Sequence, residues 1–157
     1  MNAITRAAEI HVVLSEIEEM LITPADKWFS LCVRERSGWR CENCGKQYEE
    51  KSQGLHCSHF IGRGNWAVRH DPMNADAHCY YCHVQFEGNP HKHTEWKKER
   101  LGKFYDTLIE KSNSVTLGKQ ARQDRKEMAA HYKKEYERML EQRSEGKVGR
   151  LNFTGWL

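Results

Sequence analysis

Apolar side chains recur every three or four positions at the start of the chain, over residues 3–21. This spacing matches one face of an α-helix, so it predicts an amphipathic helix there. The residues of this stripe are Ile4, Ala7, Ile10, Val13, Leu14, Ile17 and Leu21. A second helix is predicted from Pro24 to about Arg36, because Thr23 is a favoured N-cap residue and proline is favoured in a first turn. Its buried face would carry Trp28, Leu31 and Cys32.

The middle of the chain alternates short apolar runs with polar turns. In order, the pattern predicts a strand at LHCSHFI (55–61), a turn at GRGN (62–65), a returning strand at AVRH (67–70), a loop at DPMNAD (71–76) and a helix at AHCYYCHVQFEG (77–88). Gly88 is expected to end that helix. A strand–turn–strand–helix unit is therefore expected in this part of the chain.

Two further helices are predicted in the C-terminal half. The first runs from Pro90 to about Lys111, and its buried residues would be Trp96, Leu101, Phe104 and Leu108. The second is long and highly charged and runs from Leu117 to Arg143, with apolar positions at Met128, Tyr132, Tyr136, Met139 and Leu140. The tail, residues 146–157, is amphipathic, and the pattern does not assign it to an element.

Composition limits the class of protein. The chain has 157 residues, enough for one domain with a modest core, and it is hydrophilic, with 38% hydrophobic and 30% charged residues. It has no apolar run of about 18 residues, so no membrane partner is expected. Its N-terminus lacks the basic start, apolar block and cleavage site of a signal peptide. A cytoplasmic, reducing environment is therefore expected, and no small-molecule cofactor is indicated.

Basic residues are concentrated near the C-terminus. From Lys119 to Arg150 the chain has ten lysines and arginines against six acidic residues, whereas its net charge is only +3. This stretch suits contacts with nucleic-acid phosphates, and a solvated helix with paired charges is the alternative. The residues predicted to contact DNA are Arg63, Arg69, Lys119, Arg122, Arg125, Lys126 and Lys133.

Four of the six cysteines form two pairs with the same spacing, Cys41-x-x-Cys44 and Cys79-x-x-Cys82. In a reducing compartment such pairs indicate metal binding before disulfides, and a thioredoxin-like redox site would need one pair rather than two. Four thiolates about 2.3 Å from one ion complete the tetrahedron of Zn²⁺ and leave no position for substrate. One structural zinc per chain is therefore predicted.

Polar residues between the two cysteine pairs are not needed for that zinc. His59 lies on the predicted strand, Asn74 in the loop and His83 on the helix. In a nuclease with one metal, a strand histidine can deprotonate water while a carbonyl or amide holds its other ring nitrogen, and a helix histidine can bind the cation. We expect the zinc to make His59 and His83 face one another. Asn74 would tie down the loop or orient the base.

Each of these histidines also has a simpler interpretation. His59 could be a strand histidine with all its hydrogen bonds satisfied, and His83 could lie on the helix surface or beside the zinc. The other histidines of the central region are expected at the surface; they are His56, His70, His78, His91 and His93. Cys57 is expected to be a small buried residue.

The motifs of the central region occur together in a known family. In chain order they are CVRER, CENCG, SHF, RHDPMN, CYYCH and EGN, between residues 32 and 89. With them the chain resembles the HNH, or ββα-metal, endonuclease superfamily in its subtype with a four-cysteine zinc. Within that superfamily it resembles the phage recombination proteins NinG and Rap, over roughly residues 23–143. The order of motifs is also similar to that of phage endonuclease VII.

The resemblance implies an α+β, mostly helical fold in a single domain, 1–157. Its parts would be N-terminal helices (1–37), a zinc-stapled HNH core (38–89), basic C-terminal helices (90–145) and a tail (146–157). The implied activity is hydrolysis of phosphodiesters in branched recombination DNA, such as Holliday junctions and D-loops. His59, Asn74 and His83 would be catalytic, with His59 as general base and one Mg²⁺ or Mn²⁺.

The resemblance also implies a partner and a place of action. A four-way junction has two symmetric cut positions, so a homodimer is expected. The two helices outside the core are candidates for the dimer contact. If the protein is phage-encoded, it would act in the host bacterial cytoplasm.

One position departs from the family's pattern. Many HNH enzymes place Asp or His immediately before the catalytic histidine as a metal ligand, and this chain has Ser58 there, a poor ligand. Glu87, one turn after His83 on the same helix face, is the predicted second ligand. Two other functions therefore stay open. One is a generic HNH nickase without branch preference, and the other is a non-catalytic zinc DNA-binding module.

Overall fold

Helices make up most of the chain, and one small antiparallel sheet lies among them. The computed structural model describes residues 3–157, without the side chains of residues 3, 4 and 15–20. In chain order the elements are α1 (Ala3–Met20), α2 (Pro24–Arg36), β1 (Leu55–His59), β2 (Ala75–Cys79), α3 (Tyr80–Gly88), α4 (Pro90–Leu101), a 3-10 turn (Gly102–Phe104), α5 (Tyr105–Ser112), α6 (Val115–Gln123) and α7 (Arg125–Ser144). The prediction of an α+β, mostly helical fold is confirmed.

Helix α2 begins with a reciprocal cap. The Thr23 hydroxyl accepts a hydrogen bond from the Asp26 amide at 3.2 Å, and the Asp26 carboxylate accepts one from the Thr23 amide at 2.8 Å. Pro24 stands in the first turn, as predicted. These contacts satisfy backbone donors that a helix start leaves unpaired. The predicted helix from Pro24 to Arg36 is confirmed.

Helices α2 and α7 pack together and form much of the core. Met128, Tyr132, Tyr136 and Met139 are buried on α7, as their spacing predicted. The Phe29 ring of α2 meets the Tyr132 ring edge to face, with 5.2 Å between centroids. The tail also joins this core, because Leu151 and Phe153 are buried in the same cluster.

The predicted helix from Leu117 to Arg143 is divided in two at Asp124. The backbone of Asp124 leaves helical geometry, with φ −85° and ψ 6°. Its carboxylate accepts hydrogen bonds from the Gln120 side-chain amide at 2.8 Å and from the Trp156 indole N–H at 2.9 Å. These two side-chain contacts hold the Asp124 carboxylate at the junction of α6 and α7.

The second strand lies later in the chain than predicted. Residues 67–70 form successive turns, and β2 is Ala75–Cys79, so the helix predicted from 77 begins only at Tyr80. Leu55 pairs with Cys79 and His59 with Ala75 in an antiparallel register. Every residue of β2 is buried, including the polar Asp76 and His78. Its sequence ADAHC contains two alanines and an aspartate, residues that are depleted in strands, so local propensity does not indicate a strand here.

The predicted helix from Pro90 is also interrupted. Gly102 has φ +53° and ends α4, and α5 starts after a short 3-10 turn. Leu108 is buried as expected, but Phe104 is 53% exposed, because the chain turns before it. Lys97 is buried instead, and its ammonium pairs with the Asp76 carboxylate of β2.

Helix α1 forms where the apolar stripe predicted it. Its described apolar side chains face solvent, with Ile10 56%, Val13 52% and Leu14 57% exposed. The predicted stripe residues Ile4 and Ile17 have side chains outside the described part. Among the described residues, no helix combines the length and apolar character needed to cross a membrane.

Candidate metal centre and active site

The first cysteine pair lies in a tight knuckle after α2. The Cys41 amide donates to the Lys46 carbonyl at 2.9 Å, and the Gly45 amide donates to the Cys41 carbonyl at 2.9 Å. Gly45 has φ +78°, a left-handed conformation that glycine adopts without strain. The second pair lies where β2 ends and α3 begins, and the Cys79 sulfur accepts from the Cys82 amide at 3.4 Å.

The four paired cysteines meet in one cluster. Their sulfurs all lie within 4.8 Å of one another, and those of Cys44 and Cys79 are 3.8 Å apart. Two thiolates about 2.3 Å from one tetrahedral ion are expected to lie about 3.8 Å apart, so the donor set fits Zn²⁺. Burial and the neighbouring sulfurs raise the pKa of Cys82 to about 12. A divalent cation would relieve that repulsion.

The remaining cysteines stand apart from this cluster. Cys32 donates its thiol proton to the Tyr132 carbonyl at 3.2 Å, inside the α2–α7 core. Cys57 lies on β1, and burial raises the pKa of its thiol to about 12. The predicted set of Cys41, Cys44, Cys79 and Cys82 is therefore the one that the fold brings together.

His59 stands at the end of β1 with its ring fixed by the backbone. Its Nε2 lies 2.9 Å from the Arg69 carbonyl oxygen. A carbonyl can only accept, so Nε2 carries the proton and Nδ1 keeps its lone pair. Burial lowers the pKa of His59 to about 4, although the hydrogen bond to Arg69 opposes this. The ring is therefore neutral near pH 7 and can accept a proton at Nδ1.

Asn74 is fully buried and holds the loop between the strands. Its Oδ1 accepts from the Ile61 amide at 2.8 Å, and its Nδ2 donates to the carbonyls of Ile61 at 2.9 Å and Val68 at 3.0 Å. These three bonds use the side chain within the loop itself. Of the two roles expected for Asn74, its geometry favours holding the loop in place. Because one of its partners is Val68, the residue before Arg69, this also positions the Arg69 carbonyl.

Replacing Asn74 by alanine should therefore destabilise the protein. Three hydrogen bonds are lost and their buried partners stay unpaired, so the free energy of unfolding should fall on the order of 3 kcal/mol. Urea unfolding followed by circular dichroism measures this. Asn113→Ala is a matched control, because Asn113 is exposed and its side chain makes no hydrogen bond within the described residues. Equal stability of the two variants would contradict the loop role.

His83 contacts a different histidine from the one predicted. Its Nδ1 lies 3.0 Å from Nδ1 of His56, and its Nε2 lies 3.3 Å from the Glu87 carboxylate. Successive strand residues point to opposite faces, so His56 and His59 lie on opposite faces of β1. The expectation that His59 and His83 face one another is wrong. His59 packs towards Phe29 of α2, and His56 meets α3.

Arg69 is not available to DNA. It is 0% exposed, and its guanidinium donates to the Asp26 carboxylate at 2.9 and 2.7 Å. His70 Nε2 lies 2.8 Å from the same carboxylate. Burial alone would raise the pKa of Asp26, but the hydrogen bonds from His70 and Arg69 outweigh it and hold the pKa well below its usual range. The prediction of a phosphate contact at Arg69 is therefore corrected.

The other residues predicted to contact DNA differ in how exposed their side chains are and in which contacts they already make. Arg63 is about one-third exposed and donates to the Leu21 carbonyl at 3.0 Å and to Asp26. Lys133 lies 4.0 Å from Glu137 and 5.7 Å from the Trp28 ring centroid. Lys119, Arg122, Arg125 and Lys126 are exposed on α6 and the start of α7, and the last three line an open hollow of about 490 Å³.

Three histidines expected at the surface are buried. They are His70 (5% exposed), His78 (0%) and His93 (8%). His78 lies on β2 opposite His56, and α4 covers this face of the sheet with Trp96, whose ring centroid is 4.9 Å from that of His78. No described residue offers a hydrogen-bond partner to the ring nitrogens of His78 or to the buried hydroxyl of Ser58. The face of β1 and β2 towards α3 and α4 is thus rich in polar groups.

No family model, curated protein or solved structure matched this chain. The resemblance to HNH endonucleases therefore rests on the motifs quoted above.

Proposed function

We propose that the protein is a zinc-stapled, HNH-type DNA endonuclease that uses His59 as general base with one divalent metal. The observation that supports this best is the state of the His59 ring. Its Nε2 is engaged by the Arg69 carbonyl, which leaves a neutral Nδ1 with no hydrogen-bond partner among the described residues. A base must be neutral, oriented and accessible to water before the reaction starts.

In the proposed mechanism the general base lies on one face of β1 and the divalent metal on the other. His59 Nδ1 takes a proton from water, and the resulting hydroxide attacks the phosphorus while the bond to the leaving 3′ or 5′ oxygen breaks. A bound divalent metal would stabilise the negative charge on the phosphorane and the leaving oxygen. In the described part of the chain β1 pairs only with β2, so no strand occupies its other edge. A phosphodiester laid across that edge can reach groups on both faces.

The sheet needs the zinc to hold this arrangement. An isolated two-stranded sheet is marginally stable in water. Here Cys79 ends β2 and Cys82 lies in the first turn of α3, so the metal would join the strand, the helix and the knuckle of Cys41 and Cys44. The same cluster at the base of the ββα unit also supports the HNH interpretation.

The proposed substrate is branched DNA, and the proposed partner is a second copy of the chain. The motif resemblance supports branched recombination intermediates, and the exposed basic residues of α6 and α7 suit phosphate contacts. The exposed apolar side chains of α1 offer a surface for the second copy. A two-fold dimer would place one His59 at each of the symmetric cut positions of a junction.

Cleavage of a synthetic four-way junction tests this function. The purified protein is incubated with the junction, and separately with a linear duplex of the same arm sequences, in Mg²⁺ or Mn²⁺. Paired symmetric cuts in the junction alone are the expected result. Equal nicking of both substrates would favour the generic HNH nickase, and binding without any cut would favour the non-catalytic zinc module.

A further inference from the structure

We propose that His56 and His83 together form a site for a divalent transition metal, with Glu87 orienting the His83 ring. In this site His56 supplies the ligand that Ser58 cannot. The inference deepens the proposed function, because this would be the metal that acts opposite His59. It assigns a role to His56, which the sequence placed among ordinary surface residues.

The spacing of the two rings suits one ion. The Nδ1 atoms of His56 and His83 lie 3.0 Å apart. Two nitrogens that each lie about 2.1 Å from one metal, at right angles, are separated by about 3.0 Å. The rings are steeply inclined to each other, with an interplanar angle of 79°. The two nitrogens are therefore close enough to be neighbouring ligands of one ion.

Strand geometry explains why His56 can replace the missing ligand. His56 and Ser58 are two residues apart on β1, so both point to the same face, towards α3. Ser58 is buried, and its hydroxyl has no partner among the described residues. A neutral hydroxyl is a weaker ligand than an imidazole. His56, one step along the same face, reaches the helix histidine directly.

Glu87 has a different role in this site from the one predicted. Its carboxylate contacts Nε2 of His83, the nitrogen opposite to the one that faces His56. A histidine that binds metal through one nitrogen commonly donates its other N–H to a carboxylate, which fixes the ring and increases its basicity. Glu87 is therefore a positioning residue for His83, and the predicted direct ligation by Glu87 is replaced.

The donor set selects a class of metal. Imidazole nitrogens suit first-row transition metals, whereas Mg²⁺ prefers oxygen ligands in octahedral geometry. Both histidines are only partly buried, and the His83 side chain is 26% exposed. Water and a phosphate oxygen can complete the coordination from solvent. We therefore expect this site to take Mn²⁺, Co²⁺ or Ni²⁺ in preference to Mg²⁺.

Metal binding in the absence of DNA tests the site. The protein is first loaded with one zinc per chain, so that the four-cysteine cluster is filled and no free zinc remains. Mn²⁺ is then titrated while the EPR signal of free Mn²⁺ is recorded. One further metal per chain is the expected result. Loss of a residue that only supports a ligand costs about 10- to 100-fold in affinity, so His56→Ala and His83→Ala, which remove direct ligands, should each weaken binding at least this much. His91→Ala is the matched control, because His91 is exposed on α4, and its affinity should not change.

Two Glu87 variants separate orientation from ligation. An amide oxygen still accepts the bond from His83, so Glu87→Gln should retain most of the affinity, whereas Glu87→Ala should lose about tenfold. Equal, large losses in both would overturn the positioning role. Zinc content and melting temperature are measured for every variant, so that loss of fold is not mistaken for loss of the site.

The possible results separate failure of the metal site from failure of the proposed function. If the parent protein binds no further metal, or if His56→Ala binds Mn²⁺ as tightly as the parent, the two histidines share only a hydrogen bond and the site is overturned. Junction cleavage could still occur in that case. If His56 and His83 bind Mn²⁺ as expected and no DNA is cut, the site stands and the endonuclease proposal fails.

Discussion

Replacing Cys79 by serine is expected to release the zinc and unfold the centre of the protein. Cys79 is the last residue of β2 and the N-cap residue of α3. Its sulfur therefore joins the sheet, the helix and the Cys41 knuckle at one point. Structural zinc contributes about 10–16 kcal/mol in small zinc-binding peptides, whereas a whole domain has a net stability of about 5–15 kcal/mol. The loss should thus exceed what the remaining contacts of this region can offset.

Zinc analysis and limited proteolysis check this result together. The parent protein should hold one zinc per chain, and Cys79→Ser should hold none and be cleaved within residues 38–89. Cys57→Ser is the matched control, because Cys57 lies on the adjacent strand but outside the four-sulfur cluster. It should keep its zinc. A Cys79→Ser protein with a full complement of zinc and an unchanged melting temperature would show that the four-cysteine cluster does not hold this region together.

Replacing His59 by alanine should reduce junction cleavage by about 10²- to 10⁴-fold while the fold and zinc content persist. The side chain makes one hydrogen bond, to the Arg69 carbonyl, and that loss is small compared with the total stability. His91→Ala, on an exposed turn of α4, should cleave at the parent rate. Retention of activity in His59→Ala would remove the proposed base.

The pH dependence of cleavage gives an independent check on His59. Protonation of the base stops the reaction, and burial lowers the pKa of His59 from 6.5 to about 4. A lowered pKa means that the neutral form persists to lower pH. The single-turnover rate should therefore be level from pH 8 down to about pH 5 and fall only below that. Zinc content is measured at each pH. An acidic limb near pH 6.5, with both the zinc and bound Mn²⁺ retained at that pH, would identify a different, exposed base.

The sequence carried enough information for helix α2, the buried positions of α7 and the cysteine cluster, but not for the breaks at Gly102 and Asp124. The Thr23-Pro24 start and the spacing of Met128, Tyr132, Tyr136 and Met139 are local signals, and the observed α2 and α7 agree with them. The spacing of the two CxxC pairs by itself indicates a metal-binding set of four cysteines. None of these predictions required knowledge of which distant residues would meet.

The remaining errors come from long-range pairing and burial. The sequence pattern predicts Arg69 at the surface, because its partner Asp26 lies 43 residues earlier and no local signal connects the two. The sequence pattern does not indicate the second strand, because alanine and aspartate have low strand propensity and the strand is stabilised by its pairing with β1. The role of His56 had a usable signal: alternation along β1 places it on the face of Ser58 and opposite His59. The same alternation indicates that His83 contacts His56 and not His59.

The position of Arg69 has a consequence for how the site works. Its side chain is clamped by Asp26, and its carbonyl orients His59. The loop is thus locked from both sides before any DNA arrives. If His59 is the base, as proposed, the conformational entropy of aligning it is lost during folding and not during turnover. We therefore infer that this half of the site is preorganised.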